Sequence, residues 1–343
     1  MRLKKMTAVI LSGLMLLPLT ACGSASQTGS DAASSVEPEI VLDVAFENNS
    51  SEPIGAGWER AQEIIKEKSG GKMAIEVYPD SQLGDKSSLI DSMLLGEPVC
   101  TLADGAFYAD YGIKDMGILF GPFLFDDWDQ CWTLIESDWY EDQCKKLEEK
   151  GLKIIASNWM YGERHTLTNV PVNSVDDLKG LKIRVPSNEI QSYGFDVLGA
   201  TSTGMALGDV YQALQTKTID GAENPIATLY GRKLHEVAPY LILDGHVKNF
   251  TTWVVSADWF NSLTEEQQNW LVETAQEAGE YNNQVLQEYL QLMVDEGVTV
   301  VDPSEEVLEG FREKAAPFYE MGDRFGWSDG LYDTVRKAMG AEE

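Results

Sequence analysis

Hydrophobic and polar residues follow two different periods beyond residue 39. A period of two predicts strands at 40–46 and 73–79, because alternate side chains of a strand face one side of a sheet. Apolar residues at helical spacing predict helices at 57–71 and near 86–95. The order strand, helix, strand, helix is typical of an α/β sheet with helices packed on it.

The later sequence continues this alternation. Further strands are predicted within 117–127 and at 152–161, 181–185, 201–205, 218–222 and 251–260, with helices within 127–150 and at 187–198 and 208–216. Ser174 and Asp177 form a capping-box pattern before a short helix. Thr264 and Gln267 form another, which opens a helix predicted to reach residue 296 or so. At about 1.5 Å per residue that helix would span roughly 45–50 Å, enough to contact two domains.

The first 21 residues differ in composition from the rest of the chain. A basic start precedes a mostly apolar run at 6–19, which is too short to span a bilayer and predicts an export signal over 1–21. Cys22 follows Leu-Thr-Ala, which resembles a bacterial lipobox. The resemblance implies cleavage before Cys22 and a diacylglycerol on its thiol. The alternative is ordinary signal cleavage nearby, with Cys22 incidental.

A segment rich in Ser, Gly and Ala follows Cys22. Residues 23–38 hold no large apolar side chain except Val36, so they cannot bury enough surface to fold. We expect 22–38 to be a lipidated cysteine and a flexible tether. The folded part is expected to start near Glu39.

The chain is strongly acidic. Its formal net charge is −30, and removal of the three basic residues of the signal makes it −33. Such a surface is a poor binder of nucleic acid or anionic lipid, so membrane contact is expected only through the N-terminal lipid. An anionic ligand would need cations concentrated at its site, which directs attention to the few arginines.

Signals for catalysis or metal binding are weak. The chain has no Gly-x-Ser-x-Gly motif, and His235-Glu236 does not continue to the second histidine of a zinc helix. Gly55-Ala56-Gly57 lacks the third glycine of a dinucleotide fingerprint. Cys100, Cys131 and Cys144 have no metal-type spacing; Cys131 and Cys144 could pair or stay free. We therefore expect no catalytic residue, no metal and no cofactor.

The position of the Arg184 side chain has two interpretations. In DLKGLKIRVPS (177–187), apolar residues alternate with Lys182 and Arg184, as in a strand with one apolar face. Periodicity alone favours Arg184 on a solvated strand face. The alternative is a cleft wall, where its planar guanidinium could bind a carboxylate through two hydrogen bonds.

Several stretches carry a family resemblance. They are GGKMAIEVYPDSQLGD, GERHTLTNVPVNSVDDLKGLKIRVPS, LGATSTGMALGDVYQALQTKTIDGAENP, KLHEVAPYLILDGH and VVSADWFNSLTEEQ. They resemble the substrate-binding proteins of tripartite ATP-independent periplasmic (TRAP) transporters, over essentially the whole chain beyond the tether. The resemblance implies a two-domain periplasmic-binding-protein-like α/β fold with a ligand cleft, hinge strands and a long helix spanning both domains. The expected domains are 39–161 plus 250–289, and 162–249 plus 290–343.

The resemblance also implies a carboxylate site. In the family an arginine of the LKIRVP strand pairs with the ligand's carboxylate, and that position here is Arg184. An upstream family arginine matches Arg164, and the asparagine of GAENP, which commonly donates to the same carboxylate, matches Asn224. Three such groups around one carboxylate make physical sense, because each hydrogen bond to a charge contributes roughly 1.5–3 kcal/mol.

The opposite wall of the cleft is predicted from sialic-acid-binding relatives. Glu47, Lys86 and Asp104 match positions at or near contacts to hydroxyl or amide groups, although simple surface charge is the alternative for each. Leu207 replaces an aromatic residue of sialic-acid binders, which argues against that ligand. Acceptors such as Glu47 and Asp104 suit hydroxyl groups, so a sugar acid is expected. Candidate stacking surfaces are Trp58, Phe107, Trp159 and Phe250.

The resemblance implies an extracytoplasmic receptor, not an enzyme. It would capture a small organic acid, such as a uronate or aldonate, and deliver it to the membrane permease of a TRAP transporter. We expect a lipid-anchored monomer at the cell surface or the periplasmic face of the membrane. The alternatives are a binder of simple mono- or dicarboxylates, a ligand-binding sensor component and a lipid-anchored sugar-acid enzyme.

Overall fold

The computed structural model of the protein describes residues 37–285 and 289–341. The expected signal peptide, Cys22 and most of the expected tether lie outside these residues. Cys100, Cys131 and Cys144 are all free thiols, so Cys131 and Cys144 do not pair. None of the helices in the described ranges is long and apolar enough to cross a membrane.

All strands of the described residues belong to one mixed sheet. They are β1 (Ile40–Ala45), β2 (Met73–Tyr78), β3 (Val99–Ala103), β4 (Leu152–Thr168), β5 (Lys182–Val185), β6 (Thr201–Gly204), β7 (Gly221–Pro225), β8 (Tyr240–Ser256) and β9 (Thr299–Val301). Their order is β2-β1-β3-β8-β4-β7-β5-β6, with β9 paired to β8. The strands β1–β3, here called the first half, are parallel to one another, and so are β5–β7, the second half.

The two long strands β4 and β8 join these halves. Each has 17 residues, and they pair in antiparallel from Leu152 opposite Ser256 to Thr168 opposite Tyr240. The end of β8 pairs with β3, and the end of β4 pairs with β7. Four register shifts interrupt this ladder, and such irregularities bend strands. The arrangement agrees with the expected α/β fold of two parts joined by connecting strands.

Helices cover both faces and both ends of the sheet. They are α1 (Pro53–Lys68), α2 (Lys86–Leu94), α3 (Gly105–Asp110), α4 (Trp128–Ile135), α5 (Asp138–Glu149), α6 (Glu189–Val197), α7 (Val210–Gln215), α8 (Ile226–Gly231), α9 (Ala257–Ser262), α10 (Glu265–Gln284), α11 (Tyr289–Asp295), α12 (Glu305–Ala315), α13 (Gly322–Phe325) and α14 (Leu331–Ala338). Short 3-10 helices lie at Lys114–Phe120, Val175–Leu178, Leu207–Asp209, Leu234–Glu236 and Ala316–Glu320.

The helix predicted from Thr264 to about residue 296 is found as two helices in the described residues. The capping box of Thr264 and Gln267 is confirmed at the start of α10, which ends at Gln284. Helix α11 begins at Tyr289, beyond residues that the structure does not describe. Helix α10 packs on α1 and β4, whereas α11 packs on α8, so the two helices together contact elements at both halves of the sheet.

The strand predicted within 117–127 is wrong. Its first four residues belong to the 3-10 helix Lys114–Phe120, and irregular backbone follows. Its apolar residues other than Phe123 are buried, and a continuous apolar run does not distinguish a strand from a helix. A Cβ at Gly117 would come within 2.9 Å of Ile190, so this segment packs too closely for a side chain there.

Three tryptophans form the centre of the core under the first half. The ring of Trp58 lies 4.2 Å from that of Trp253 and 5.0 Å from that of Trp159, and all three are fully buried. The indole nitrogen of Trp159 donates to the carbonyl oxygen of Ala275, 2.8 Å away. Gly57 lets α1 approach this cluster, since a Cβ there would lie 2.7 Å from the Trp159 ring.

We expect Gly57→Ala to lower the free energy of unfolding by about 1–3 kcal/mol, because extra volume in a packed core forces its neighbours to move. Gly310→Ala in α12 is the matched control, because the nearest atom to its added Cβ would be Val175 Cγ1 at 4.0 Å. There the helix propensity of alanine should stabilise by about 0.5–1 kcal/mol. Urea unfolding measures the free energy of unfolding of both variants. If Gly57→Ala and Gly310→Ala change it in the same direction, the packing argument is contradicted.

Candidate ligand-binding site

One cavity between the two halves of the sheet brings together all six predicted site residues. Its empty volume is about 390 Å³, which includes open solvent at its mouth. Its lining includes Glu47, Lys86, Asp104, Arg164, Arg184 and Asn224, together with Phe107, Tyr161, Pro186, Gln191, Leu207, Asn249 and Thr251. Glu47 and Asp104 follow β1 and β3, at the carboxyl ends of parallel strands, where α/β sheets commonly bind ligands.

Arg184 is a buried cation whose guanidinium has N–H groups available for further hydrogen bonds. Only 2% of the residue is exposed, so the solvated strand face favoured by periodicity is wrong. Its Nε and Nη2 both donate to the carbonyl oxygen of Met205, at 3.0 and 2.7 Å. Within 37–285 and 289–341, no acidic side chain lies within ion-pair distance of it. Burial lowers the pKa of its guanidinium to about 10, against the attraction of Glu223 and Glu47, so it stays charged at neutral pH.

Arg164 is also buried, but its charge is already paired. Its Nη2 donates to Glu223 Oε1 at 2.7 Å, and its Nε donates to the other carboxylate oxygen. Its Nη1 donates to Asn249 Oδ1 at 3.1 Å. The guanidinium also lies over the ring of Phe120, 5.2 Å from its centre. Arg164 therefore differs from Arg184: it supports the cavity wall and has little donor capacity left for a ligand.

Glu223, which the sequence did not suggest, continues this pair into a buried chain of charges. His246 Nε2 lies 3.2 Å from Glu223 Oε2, and His246 Nδ1 lies 3.2 Å from Asp244 Oδ2. Asp244 accepts hydrogen bonds from the backbone nitrogen and the hydroxyl of Thr166, at 3.1 and 2.7 Å. Burial would raise the pKa of Glu223, but Arg164 and His246 hold it well below its usual range. These contacts hold Arg164 in place behind the cavity.

Two amide side chains complete the wall of Arg184. Asn224 on β7 is buried, and its Oδ1 has no hydrogen-bond partner in the part of the chain that the structure describes. Gln191 at the start of α6 was not predicted. Its Oε1 accepts a hydrogen bond from the N-cap residue Asn188, so its Nε2 is directed elsewhere and the side chain lines the cavity. The N-cap pattern at Asn188 is the sequence signal that could have located it.

The opposite wall carries oxygen acceptors. Asp104 is buried at the N-cap of α3, where Oδ1 accepts from the backbone nitrogen of Ala106 at 3.1 Å. Burial raises the pKa of Asp104, while Lys86 and Arg164 oppose that shift. Lys86 Nζ lies 4.6 Å above the Phe107 ring, the one predicted stacking surface that lines this cavity. The other three, Trp58, Trp159 and Phe250, lie in the hydrophobic core.

The sequence and the fold are similar to those of known proteins. Residues 44–324 match the family "Bacterial extracellular solute-binding protein, family 7". A sialic acid-binding periplasmic protein of Vibrio cholerae is 30% identical over 76% of this chain and 81% of its own length.

Solved structures show the same fold. A TRAP periplasmic solute-binding protein of Ochrobacterium anthropi with bound L-fuconate is 35% identical, with a TM-score of 0.83 over 88% of this chain and 99% of that one. One of Actinobacillus succinogenes with bound L-galactonate is 32% identical, with the same TM-score and coverage.

The chain therefore belongs to the family of bacterial extracellular solute-binding proteins. More narrowly, it is a solute-binding receptor of the TRAP transporter type, and it is not an enzyme. The two-domain α/β fold expected from the sequence is confirmed.

The charge chain behind Arg164 gives a pH prediction. Burial lowers the pKa of His246, but Asp244 and Glu223 outweigh it and raise the pKa from 6.5 to about 9. A raised pKa means that charged His246 stabilises the folded state fully below pH 6.5 and less as the pH rises through 9. The contribution is at most about 3 kcal/mol.

We therefore expect the free energy of unfolding of wild type to exceed that of His246→Gln by a large amount at pH 6. This difference, called the gap, should be smaller at pH 9. Urea unfolding at three pH values measures it. Leu214→Ala, a core substitution without a titrating group, should show a gap that stays constant with pH. A constant gap for His246→Gln as well would mean that the histidine is neutral in the folded protein.

Proposed function

We propose that the ligand is a sugar acid, with its carboxylate bound by Arg184 and its hydroxyl groups directed to the opposite wall. The observation that carries this proposal is the contrast between the two buried arginines. Arg164 is neutralised by Glu223, whereas Arg184 is a buried positive charge without an acidic partner among the described residues. A buried charge is costly until it is paired, so an anion at this place is favoured.

The wall around Arg184 suits a carboxylate. The guanidinium has five N–H groups, and its Nε and one N–H of Nη2 bond to Met205, which leaves three. Asn224 and Gln191 add amide donors beside it. A carboxylate accepts several hydrogen bonds at once, and each bond to a charge contributes roughly 1.5–3 kcal/mol. Arg164 contributes its fixed position and its remaining Nη1 hydrogen.

The wall with Glu47 and Asp104 suits hydroxyl groups. A hydroxyl donates to a carboxylate, whereas a second carboxylate of the ligand would be repelled by both acids, with only Lys86 to offset them. Leu207 supplies an apolar surface where sialic-acid binders have an aromatic residue. The L-fuconate and L-galactonate bound by the two solved relatives belong to the proposed class.

We further propose that this receptor closes around its ligand and delivers it to a TRAP permease. The halves joined by β4 and β8 would move as the domains 39–161 plus 250–289 and 162–249 plus 290–343. After removal of a signal peptide at 1–21, a lipid on Cys22 and the tether at 22–38 would hold a monomer at the cell surface or the periplasmic face of the membrane.

A thermal-shift screen tests the ligand class. The sample is the protein beginning after Cys22, and the panel holds uronates, aldonates, keto-sugar acids, sialic acid, simple mono- and dicarboxylates and the neutral sugar matching each acid. A ligand at 1,000 times its Kd stabilises by about 4.1 kcal/mol, and each kcal/mol raises Tm by roughly 2–4 °C. We expect a clear shift with a sugar acid and none with its neutral counterpart.

Other outcomes of the screen have definite meanings. A shift with simple dicarboxylates alone would keep the receptor but overturn the sugar-acid class. No shift with any acid, from folded and ligand-free protein, would contradict the carboxylate site at Arg184.

Arg184 is tested by substitution. Arg184→Ala should weaken binding of the acid found in the screen by about 2–5 kcal/mol, because the carboxylate loses its partner inside a desolvated cleft. Arg184→Lys should also bind poorly, because an ammonium group cannot reproduce the planar fork. Arg60→Ala is the control, since Arg60 lies on α1 and pairs with exposed Glu63. Calorimetric affinities equal to wild type in both Arg184 variants would refute the assignment.

A further inference from the structure

Glu52 is a buried acid outside the ligand cavity, and nothing in the proposed function uses it. It occupies the N-cap position of α1, and only 1% of the residue is exposed. Its carboxylate accepts hydrogen bonds from Asn48 Nδ2 at 2.7 Å, the Asn49 backbone nitrogen at 2.9 Å and Thr228 Oγ1 at 2.8 Å. The first two donors belong to the loop that also carries Glu47 of the cavity wall.

The third donor belongs to the other side of the cleft. Thr228 lies on α8, which follows β7 and its residue Asn224. Helix α8 also approaches closely at Gly231, where a Cβ would lie 2.6 Å from Glu52 Cγ. Asn48 Nδ2 donates as well to the hydroxyl of Tyr161, which lies on the connecting strand β4 and lines the cavity. Glu52 is therefore the centre of a polar contact between the Glu47 loop, α8 and β4.

Resting on the proposed function, we propose that Glu52 is a positioning residue that holds the Glu47 loop against α8 when the cleft is closed, and that a proton on its carboxylate strengthens this contact. The acid should then bind more tightly when Glu52 is protonated. Glu52 would act through the geometry of the cleft and not by touching the ligand.

The surroundings of Glu52 explain why a proton matters. Burial disfavours the charged carboxylate, and no cation lies within ion-pair distance of it among the described residues. Arg232, just beyond α8, attracts it from a distance, but its Nη1 is bound to Asp80 at 2.9 Å. The other titratable groups that face it are Tyr161 of β4 and Tyr289 of α11.

Burial raises the pKa of Glu52 to about 7, although the donors Asn48, Asn49 and Thr228 and the charge of Arg232 oppose the shift. In the proposed open cleft α8 would leave Glu52, and water at the carboxylate would lower its pKa toward the ordinary value of 4.5. Closure then takes up a proton between these two values. The proton on Glu52 therefore contributes fully to the free energy of closure below pH 4.5, and this contribution is lost as the pH rises through 7. Between pH 6 and pH 8 the affinity should fall about tenfold.

Calorimetry with L-fuconate and L-galactonate as probes, at pH 6 and pH 8, tests the inference. The carboxylates of these acids stay ionised at both values, so the ligand's own charge is constant. Wild type should bind about tenfold more tightly at pH 6, and Glu52→Gln should lose most of this difference. Glu59→Gln, an exposed residue of the same helix, should keep the wild-type profile. Equal profiles for wild type and Glu52→Gln would overturn the inference.

A further measurement separates the possible outcomes. Ligand-free protein is open in this proposal, so the unfolding equilibrium constant of ligand-free wild type, relative to Glu52→Gln, should stay constant from pH 6 to pH 8. A rise of about tenfold, with affinities of the two proteins that keep the same pH profile, would mean that Glu52 is buried in the open form as well, is merely structural, and has no positioning role. If neither probe binds at either pH, the proposed ligand class fails; the same rise in the unfolding constant would then overturn the positioning role too, whereas a constant value supports it.

Thr228→Val gives a second variant in case Glu52→Gln does not fold. Valine keeps the shape of threonine but removes the donor from α8, so the carboxylate loses a hydrogen bond that favours its charged form. The pH at which affinity declines should therefore move upward relative to wild type. An unchanged midpoint in Thr228→Val would also overturn the inference.

Discussion

The antiparallel pairing of β4 with β8 is the constraint on which the site depends. The other strands that border the ligand cavity each belong to one half of the sheet, but these two run through both. They supply Tyr161 and Arg164 from one strand and Asn249 and Thr251 from the other. Their length fixes the distance between the walls, and the irregular register between them provides the local bends that a movable connection needs.

In the proposed function, the two buried arginines have different roles in binding an anion inside an acidic protein. Arg164 on β4 is bound on two sides by Glu223, and through it to His246 and Asp244 on or beside β8. The residues of that network are buried and multiply bonded. Arg184 stands beside it with a backbone carbonyl as its protein partner, so its charge remains available. An overall charge of −30 therefore does not prevent a strongly anion-attracting cavity.

Local pattern and resemblance predicted different parts of the structure. Periodicity located most strands and both capping boxes, because these depend on neighbouring residues. It failed at Arg184, since Ile183, Arg184 and Val185 are all buried and a strand covered on both faces has no solvent side to detect. Only the resemblance placed Arg184 in a cleft. Neither the local pattern nor the resemblance predicted Glu223, Gln191 and Glu52. Each of them acquires its role from a partner brought in by tertiary folding.

Under the proposed function, the charge balance of the buried groups on the Arg184 side of the cavity favours a ligand with one negative charge. Arg164 and charged His246 match the carboxylates of Glu223 and Asp244, so this set is neutral. Arg184 leaves one positive charge in excess, which a single carboxylate cancels. A second carboxylate would leave one negative charge uncompensated in a desolvated cavity whose far wall already holds Asp104 and Glu47. Hydroxyl groups satisfy those two acceptors without adding charge, so the proposed site favours a monoanionic sugar acid over a dicarboxylate of similar length.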